Sequence, residues 1–237
     1  MPEPLAKTLP ALADEISNCF ACPRLVAWRE QVANEKRASF RADTYWGRPV
    51  PGFGDPRAHV LVVGLAPAAH GGNRTGRVFT GDRSGDFLFA SMHRTGFANQ
   101  PTSTDRDDGL RLLDCYVAAA VRCAPPANKP TPAERDECRP YLVRELELLK
   151  RLRVVVVLGA FGYEAAWSAL RAAGVVLPPR RPRFMHGLEV ACGSIAILGA
   201  FHPSQQNTFT GKLTEPMLDA VFARAQELSK ATNSSTA

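Results

Sequence analysis

Cys19, Cys22, Cys123 and Cys138 carry the most distinctive chemistry of this 237-residue chain. The first two form a C-x-x-C near the N-terminus. The second two enclose a proline-rich loop, CAPPANKPTPAERDEC. Four thiolates gathered from distant parts of a chain are the ligand set of a zinc ion or an iron–sulfur cluster, and spacing alone does not choose between them. Disulfides belong to oxidising compartments. The opening MPEPLAKTLPALADEI is broken by prolines and acids and does not read as a signal peptide, and no apolar run is long enough to span a bilayer. The expectation is a soluble cytosolic protein whose clustered cysteines bind metal. Cys115 and Cys192 lie in apolar stretches and read as buried strand residues instead.

Two loops carry further chemistry. GLAPAAHGGNRTGRVFTGDRSG, from Gly64 to Gly85, is far richer in glycine than a strand-to-helix connection requires. Glycine lets a backbone approach a ligand and point its N–H groups inward. Asn73, Arg74, Arg77 and Asp82 supply polar groups there, and Phe79 an aromatic face. The loop lacks the G-K-[S/T] ending of a Walker loop and the G-x-G-x-x-G of a dinucleotide site. The other loop, Phe201 to Lys212, opens with His202 directly after an apolar run; Pro203 fixes the turn, and Ser204 is placed to reach a phosphate. His59, His70, His93 and His186 have no comparable setting, although His70 lies in the glycine-rich loop.

The elements that must hold these loops are legible as apolar runs. Strands are expected at Ala58–Gly64, Tyr116–Val121, Val154–Gly159 and Ile195–Leu198, the last after a hairpin-like Gly193-Ser194. Helices are expected at about Ala6–Ser17, in part of Arg24–Phe40, and over Gly85–Thr95, Phe161–Ala173 and Thr214–Lys230. Another starts at a Thr131/Pro132/Glu134 capping box and runs to about Leu152. Continuous apolar strands separated by helices predict a three-layer α/β/α fold around a central four-stranded, mostly parallel sheet. Ligands of such sheets bind beyond the carboxyl ends of the strands, which gathers the loops at Gly64–Ser84, Arg122–Lys129 and Phe201–Gly211. The chain is long enough for one domain, taken as residues 1–229, with 230–237 as a disordered tail. Its net charge of +6, from 29 basic and 23 acidic residues, suits a protein that touches phosphates without requiring it.

Taken together, G-L-A-P-A at Gly64–Ala68, N-R-T-G-R-x-F-T-G-D at Asn73–Asp82 and H-P-S-x-x-N at His202–Asn207 resemble the uracil-DNA glycosylase superfamily, and within it family 5, the type B enzymes of bacteria and archaea. The four cysteines and the run Val121-Arg-Cys-Ala-Pro-Pro-Ala-Asn-Lys-Pro130 match that family as well, so the resemblance spans roughly Cys19 to Gly211.

The resemblance implies a uracil-DNA glycosylase-like fold, a [4Fe–4S] cluster on Cys19, Cys22, Cys123 and Cys138, a bacterial or archaeal cytosolic setting, and DNA containing uracil or other deaminated bases as partner. It implies hydrolytic excision of a flipped-out base to leave an abasic site. Gly64, Leu65, Ala66, Pro67, Phe79 and Ser204 are then expected around the base, with Phe79 stacking on it and His202 bonding uracil O2. Related families handle the water with an acidic or amide residue where this chain has Leu65 and Ala66, which leaves Asn73, Asp82 and Asn207 as candidates. Family 4 enzymes carry an Asn where this chain has Ala119, and its absence implies loose base specificity that extends to hypoxanthine. Ser84, Ser204, Lys212 and the Arg180–Arg183 loop are expected on phosphates, and Phe209 as a wedge in the duplex. No lysine is placed as a Schiff-base nucleophile, with Lys212 the one to test, so strand cleavage is not expected. A monomer is expected. Two other readings are a metal-stapled DNA-binding module without activity and a hydrolase of free nucleosides.

Overall fold

The computed structural model describes residues 6–230; residues 231–237, expected in the disordered tail, lie outside the described residues. Two helices, α1 (Leu9–Ser17) and α2 (Pro23–Glu35), flank the C-x-x-C. After them come β1 (Phe53–Gly54), β2 (Val60–Gly64), the single turn α3 (Gly72–Thr75), α4 (Arg83–Arg94), β3 (Cys115–Ala119) and α5 (Pro132–Leu148). The chain closes with β4 (Val154–Leu158), α6 (Gly159–Ala172), β5 (Glu189–Cys192), β6 (Ile195–Ala200), α7 (Gln205–Phe209) and α8 (Glu215–Lys230).

The sheet has six strands in the order β1-β3-β2-β4-β6-β5. The four expected strands form its parallel centre. Two antiparallel edge strands, β1 on β3 and β5 on β6, extend the expected four to six. Neither declares itself as an apolar run. β1 is two residues inside a Gly- and Pro-rich segment, and β5 alternates exposed and buried residues because only one of its faces is covered.

The central strands are buried on both faces, so alternate residues feed two cores. Val60, Val62, Val117, Val154 and Val156 pack under α4 and α8. Leu61, Val63, Tyr116, Val155 and Val157 pack under α5 and α6, with α1 laid against α5. That is the expected three-layer α/β/α arrangement. Gly162 lets α6 sit directly on β2, since a Cβ there would come within 2.9 Å of the Val63 carbonyl. The capping box at the start of α5 forms as read, with Glu134 N–H donating to Thr131 Oγ1 and Thr131 N–H to Glu134 Oε2. No helix among the described residues is long and apolar enough to cross a membrane.

Candidate functional site

The carboxyl ends of β2, β4 and β6 open into a cleft of about 640 Å³. Its walls come from Leu65, Ala66 and Phe79 of the glycine-rich loop, Asp82–Ser84 at the start of α4, Ala127–Lys129, Leu158–Phe161 at the start of α6, and His202, Ser204 and Gln205.

Two glycines build the cleft floor. Gly64 ends β2 beneath the Phe79 ring, where a Cβ would come within 2.5 Å of ring carbons. Gly159 has φ +86, and a Cβ on it would press on His202 Cβ. Phe79 itself holds a left-handed backbone (φ 54), a state that persists in a bulky residue only when its surroundings enforce it. The enforcement comes from the arginines of the loop. Arg77 is buried, paired with Asp108 at 2.7 Å, and donates to Thr80 Oγ1, Ser103 Oγ and the Arg106 carbonyl. Arg74 pairs with Asp43 at 2.8 Å, donates to the His70 carbonyl and lies over the Phe40 ring. Both were expected as polar groups of the site. Both turn inward, and they make a glycine-rich segment rigid. His70, also in this loop, is bonded to Tyr45 Oη.

Phe79 and His202 face one another across the floor, with ring centroids 5.9 Å apart and planes inclined by 35°. The His202 ring makes no hydrogen bond among the described residues, and burial pushes its pKa down to about 4. It is therefore a neutral imidazole at neutral pH. Its loop is held by Asn207, whose Nδ2 donates to the His202 carbonyl at 2.8 Å. Asn207 braces the histidine from behind and is not among the cleft-lining residues.

Asp82 lines the cleft and is also the N-cap of α4, accepting from Gly85 N–H at 3.0 Å. Burial raises its pKa, against the pull of the capped N–H groups. Ser204 lines the cleft, with its hydroxyl not spent on capping α7. Asn73 does not reach the cleft. It is fully buried in α3, and its Nδ2 donates to the Arg29 carbonyl at 3.1 Å, so the structure separates it from the residues it was grouped with. Pro67 is buried behind the cleft against Gly72, and Ala119 lies in the core beneath the sheet edge.

Sequence reasoning placed the Arg122–Lys129 loop at this edge but missed the first turn of α6. Lys129, not Lys212, is the lysine brought to the cleft; Lys212 sits over the Phe201 ring. Ala127 and Asn128 turn that wall with left-handed backbones, which no glycine announces. The first turn of α6, Gly159–Phe161, faces the cleft with no capping side chain, so its free N–H groups and positive dipole end are directed at it. The glycine closing β4 was the signal for it. Phe209 ends α7 exposed, with the Arg83 guanidinium over its ring.

On the other side of Ala66 and Phe161 lies a second, much smaller cavity of about 40 Å³. Cys19, Cys22, Cys123 and Cys138 all line it, drawn together from the link between α1 and α2, the loop after β3 and the second turn of α5. Burial, and secondarily the charge of the other cysteines, pushes the thiols of Cys22, Cys123 and Cys138 up to about 11; at Cys123 the Arg29 guanidinium opposes the shift. Among the described residues, no three His, Cys, Asp or Glu side chains converge closely enough to hold a single metal ion. The cysteines ring a space instead, wide enough for several atoms. Arg122, which also lines it, is buried and paired with Glu145. Cys115 and Cys192 are buried strand residues, as expected.

Residues 51–226 match the sequence family described as "Uracil DNA glycosylase superfamily". A "Type-5 uracil-DNA glycosylase" of Mycobacterium bovis is 54% identical over 215 residues, covering 90% of this chain and 79% of the relative. One of Mycobacterium leprae is 51% identical over 225 residues, covering 94% and 96%. One of Thermus thermophilus is 48% identical over 219 residues, covering 92% and 97%. With that similarity running through the glycine-rich loop, the His202 loop and the sheet that joins them, the chain belongs to the uracil-DNA glycosylase superfamily, on the branch of the type-5 enzymes.

Proposed function

We propose that this chain is a monofunctional uracil-DNA glycosylase, which flips uracil out of DNA into the cleft and hydrolyses its N-glycosidic bond. The observation that carries this reading is the neutral, unpartnered His202 facing Phe79 at the carboxyl edge of the sheet.

Breaking the bond leaves the electron pair on the base and positive charge on the sugar; water adds to the sugar carbon and its proton leaves to solvent or a nearby base. A flipped base stacked on Phe79 directs a carbonyl at His202, whose ring N–H donates to the oxygen as charge builds there. The neutral imidazole suits this task, because it enters the reaction with a proton to share. The positive end of α6 adds to the stabilisation without moving. Asp82 is the acidic side chain of the cleft wall, and its raised pKa moves it toward use as a base or as an acceptor that orients the water. Asn207 acts through the His202 backbone. Phe209, Arg83, Lys129, Ser84 and Ser204 surround the mouth and are assigned to the duplex and its phosphates, with Phe209 filling the space left by the base.

The cysteines are assigned to a [4Fe–4S] cluster. A zinc ion holds four sulfurs at about 2.3 Å, whereas the ring of cysteines here encloses volume, which suits a group with bulk of its own. When bound, such a cluster would be held by Cys19, Cys22, Cys123 and Cys138 and would fasten the N-terminal arm to the loop after β3.

No side chain at Ala119 reads the Watson–Crick edge, so recognition falls to backbone groups and to Ser204 or Asn128. Hypoxanthine is therefore included among the substrates, and strict rejection of hypoxanthine DNA would remove it. The test of the activity itself is base release from a uracil-containing duplex, read as alkali-dependent strand cleavage, with His202→Ala alongside. Cleavage without alkali would point instead to lyase chemistry, with Lys129 as the nucleophile to replace. Release from free deoxyuridine as fast as from DNA would favour a nucleoside hydrolase.

A further inference from the structure

Arg29 is fully buried, with Arg122 one of the two largest fully buried side chains among the described residues, and it lines the cysteine cavity. Its Nη1 donates to Cys123 Sγ at 3.0 Å and to the Cys19 carbonyl at 3.1 Å. Its Nε and Nη2 have no hydrogen-bond partner among the described residues. Glu30, the nearest carboxylate to Nη2, lies 3.8 Å away at the surface, and the ring of Phe20 covers the guanidinium 4.9 Å from its centroid. A buried cation with unused donors is costly unless an anion lies beside it. The same residue has a second attachment, because its main-chain carbonyl accepts the only hydrogen bond that the buried Asn73 side chain, in the glycine-rich loop, makes among the described residues.

We propose that Arg29 is a positioning residue that balances the negative charge of whatever the four cysteines hold and, through Asn73, fastens that site to the loop carrying Phe79. This rests on the cluster assignment above. Four thiolates around a four-iron, four-sulfide core carry net negative charge, and a one-electron reduction adds to it. A guanidinium in hydrogen-bond contact with a ligand sulfur stabilises the more negative state, so it holds the reduction potential up. Helix α2 then serves two sites at once, with its side chain at position 29 on the cysteines and its backbone on the loop.

The experiment compares Arg29→Met, Arg29→Lys and Asn73→Leu with the wild type. It reads iron per chain, the midpoint potential in a mediated titration, and amide exchange over residues 71–82. Arg29→Met is expected to hold less iron and to shift the potential negative. Arg29→Lys, which keeps a charge but not the fork, is expected to keep its iron with a smaller shift of the same sign, and it stands as the test if the Met variant does not fold. Asn73→Leu is expected to keep iron and potential while exchange over 71–82 speeds up about tenfold or more. A wild-type potential in the Arg29 variants that fold, or unchanged exchange in Asn73→Leu, overturns the proposal. A wild type that binds no iron overturns the cluster assignment first, and this inference with it.

Discussion

Ala66 and Phe161 line the cleft and pack against the hydrophobic cluster that contains Cys123 and Cys138, yet the cleft and the cysteine cavity are built on opposite plans. The cleft is wide, and most of the polar groups along it point at space: the His202 ring, the Ser204 hydroxyl and the first turn of α6. The cysteine cavity is small, and its two arginines are buried, one hydrogen-bonded to a thiol and the other paired with a carboxylate. A surface meant to exchange ligands keeps its donors free and pays for that with an enforced backbone at Phe79. A surface meant to hold one tenant buries its cations beside the groups that would hold it. Damage to the second should therefore spread to the first, but not the reverse.

The strongest challenge to that asymmetry is Cys138→Ser. It is expected to lose the iron and, because cluster binding and folding are coupled, to lose stability on the order of several kcal/mol, with excision falling in step; thermal melting and iron content check it. A variant without iron but with wild-type melting would dissolve the distinction. His202→Ala lies on the other side. It should cut excision by about 10²–10³-fold, the usual loss of one oxyanion donor, and leave iron and melting temperature alone.

Asp82→Asn keeps a good N-cap and removes only the proton acceptor. A fall of about 10²-fold in single-turnover rate, with melting unchanged, is expected from a base; an unchanged rate would leave Asp82 as a helix cap. Phe79→Ala is the mildest, at about 1–3 kcal/mol in kcat/KM if the ring stacks on the base.

The histidine also sets a pH signature. Its folded pKa, about 4, lies below the ordinary 6.5. The unfolded chain therefore takes up a proton that the folded one refuses as pH falls below 6.5, so stability declines over that interval and the loss is complete below about 4. Excision should hold its His202-dependent rate down to the same low limit. An acidic limb near 6.5 that disappears in His202→Ala would show the imidazole to be less enclosed.

How much of this was legible depended on how local the signal was. The four central strands, the capping box at Thr131 and the position of His202 are written in contiguous residues, and all three stand. The edge strands were not, since Phe53–Gly54 pairs only because β3 offers an edge. The roles of Arg74 and Arg77 were hidden for a related reason: their partners Asp43 and Asp108 lie about thirty residues away in either direction, and nothing local says which way a guanidinium turns. Asn73 reads as a site residue from its company in the motif, and only the packing of α2 reveals that it faces Arg29.

The cysteine cavity also imposes an order of events on synthesis. Cys19 emerges early, but its most distant partner, Cys138, is 119 residues later (138 − 19). At about 5–20 residues per second that is a wait of roughly 6–24 s. During it the C-x-x-C lacks a full set of sulfur partners, although Asn73 is made well before Cys138 and can reach α2 first. The four cysteines can come together only when α5 has begun to form, after β2 and β3 have left the ribosome. The full set of cavity cysteines is thus made before β4 and β6, the strands that complete the parallel centre of the sheet.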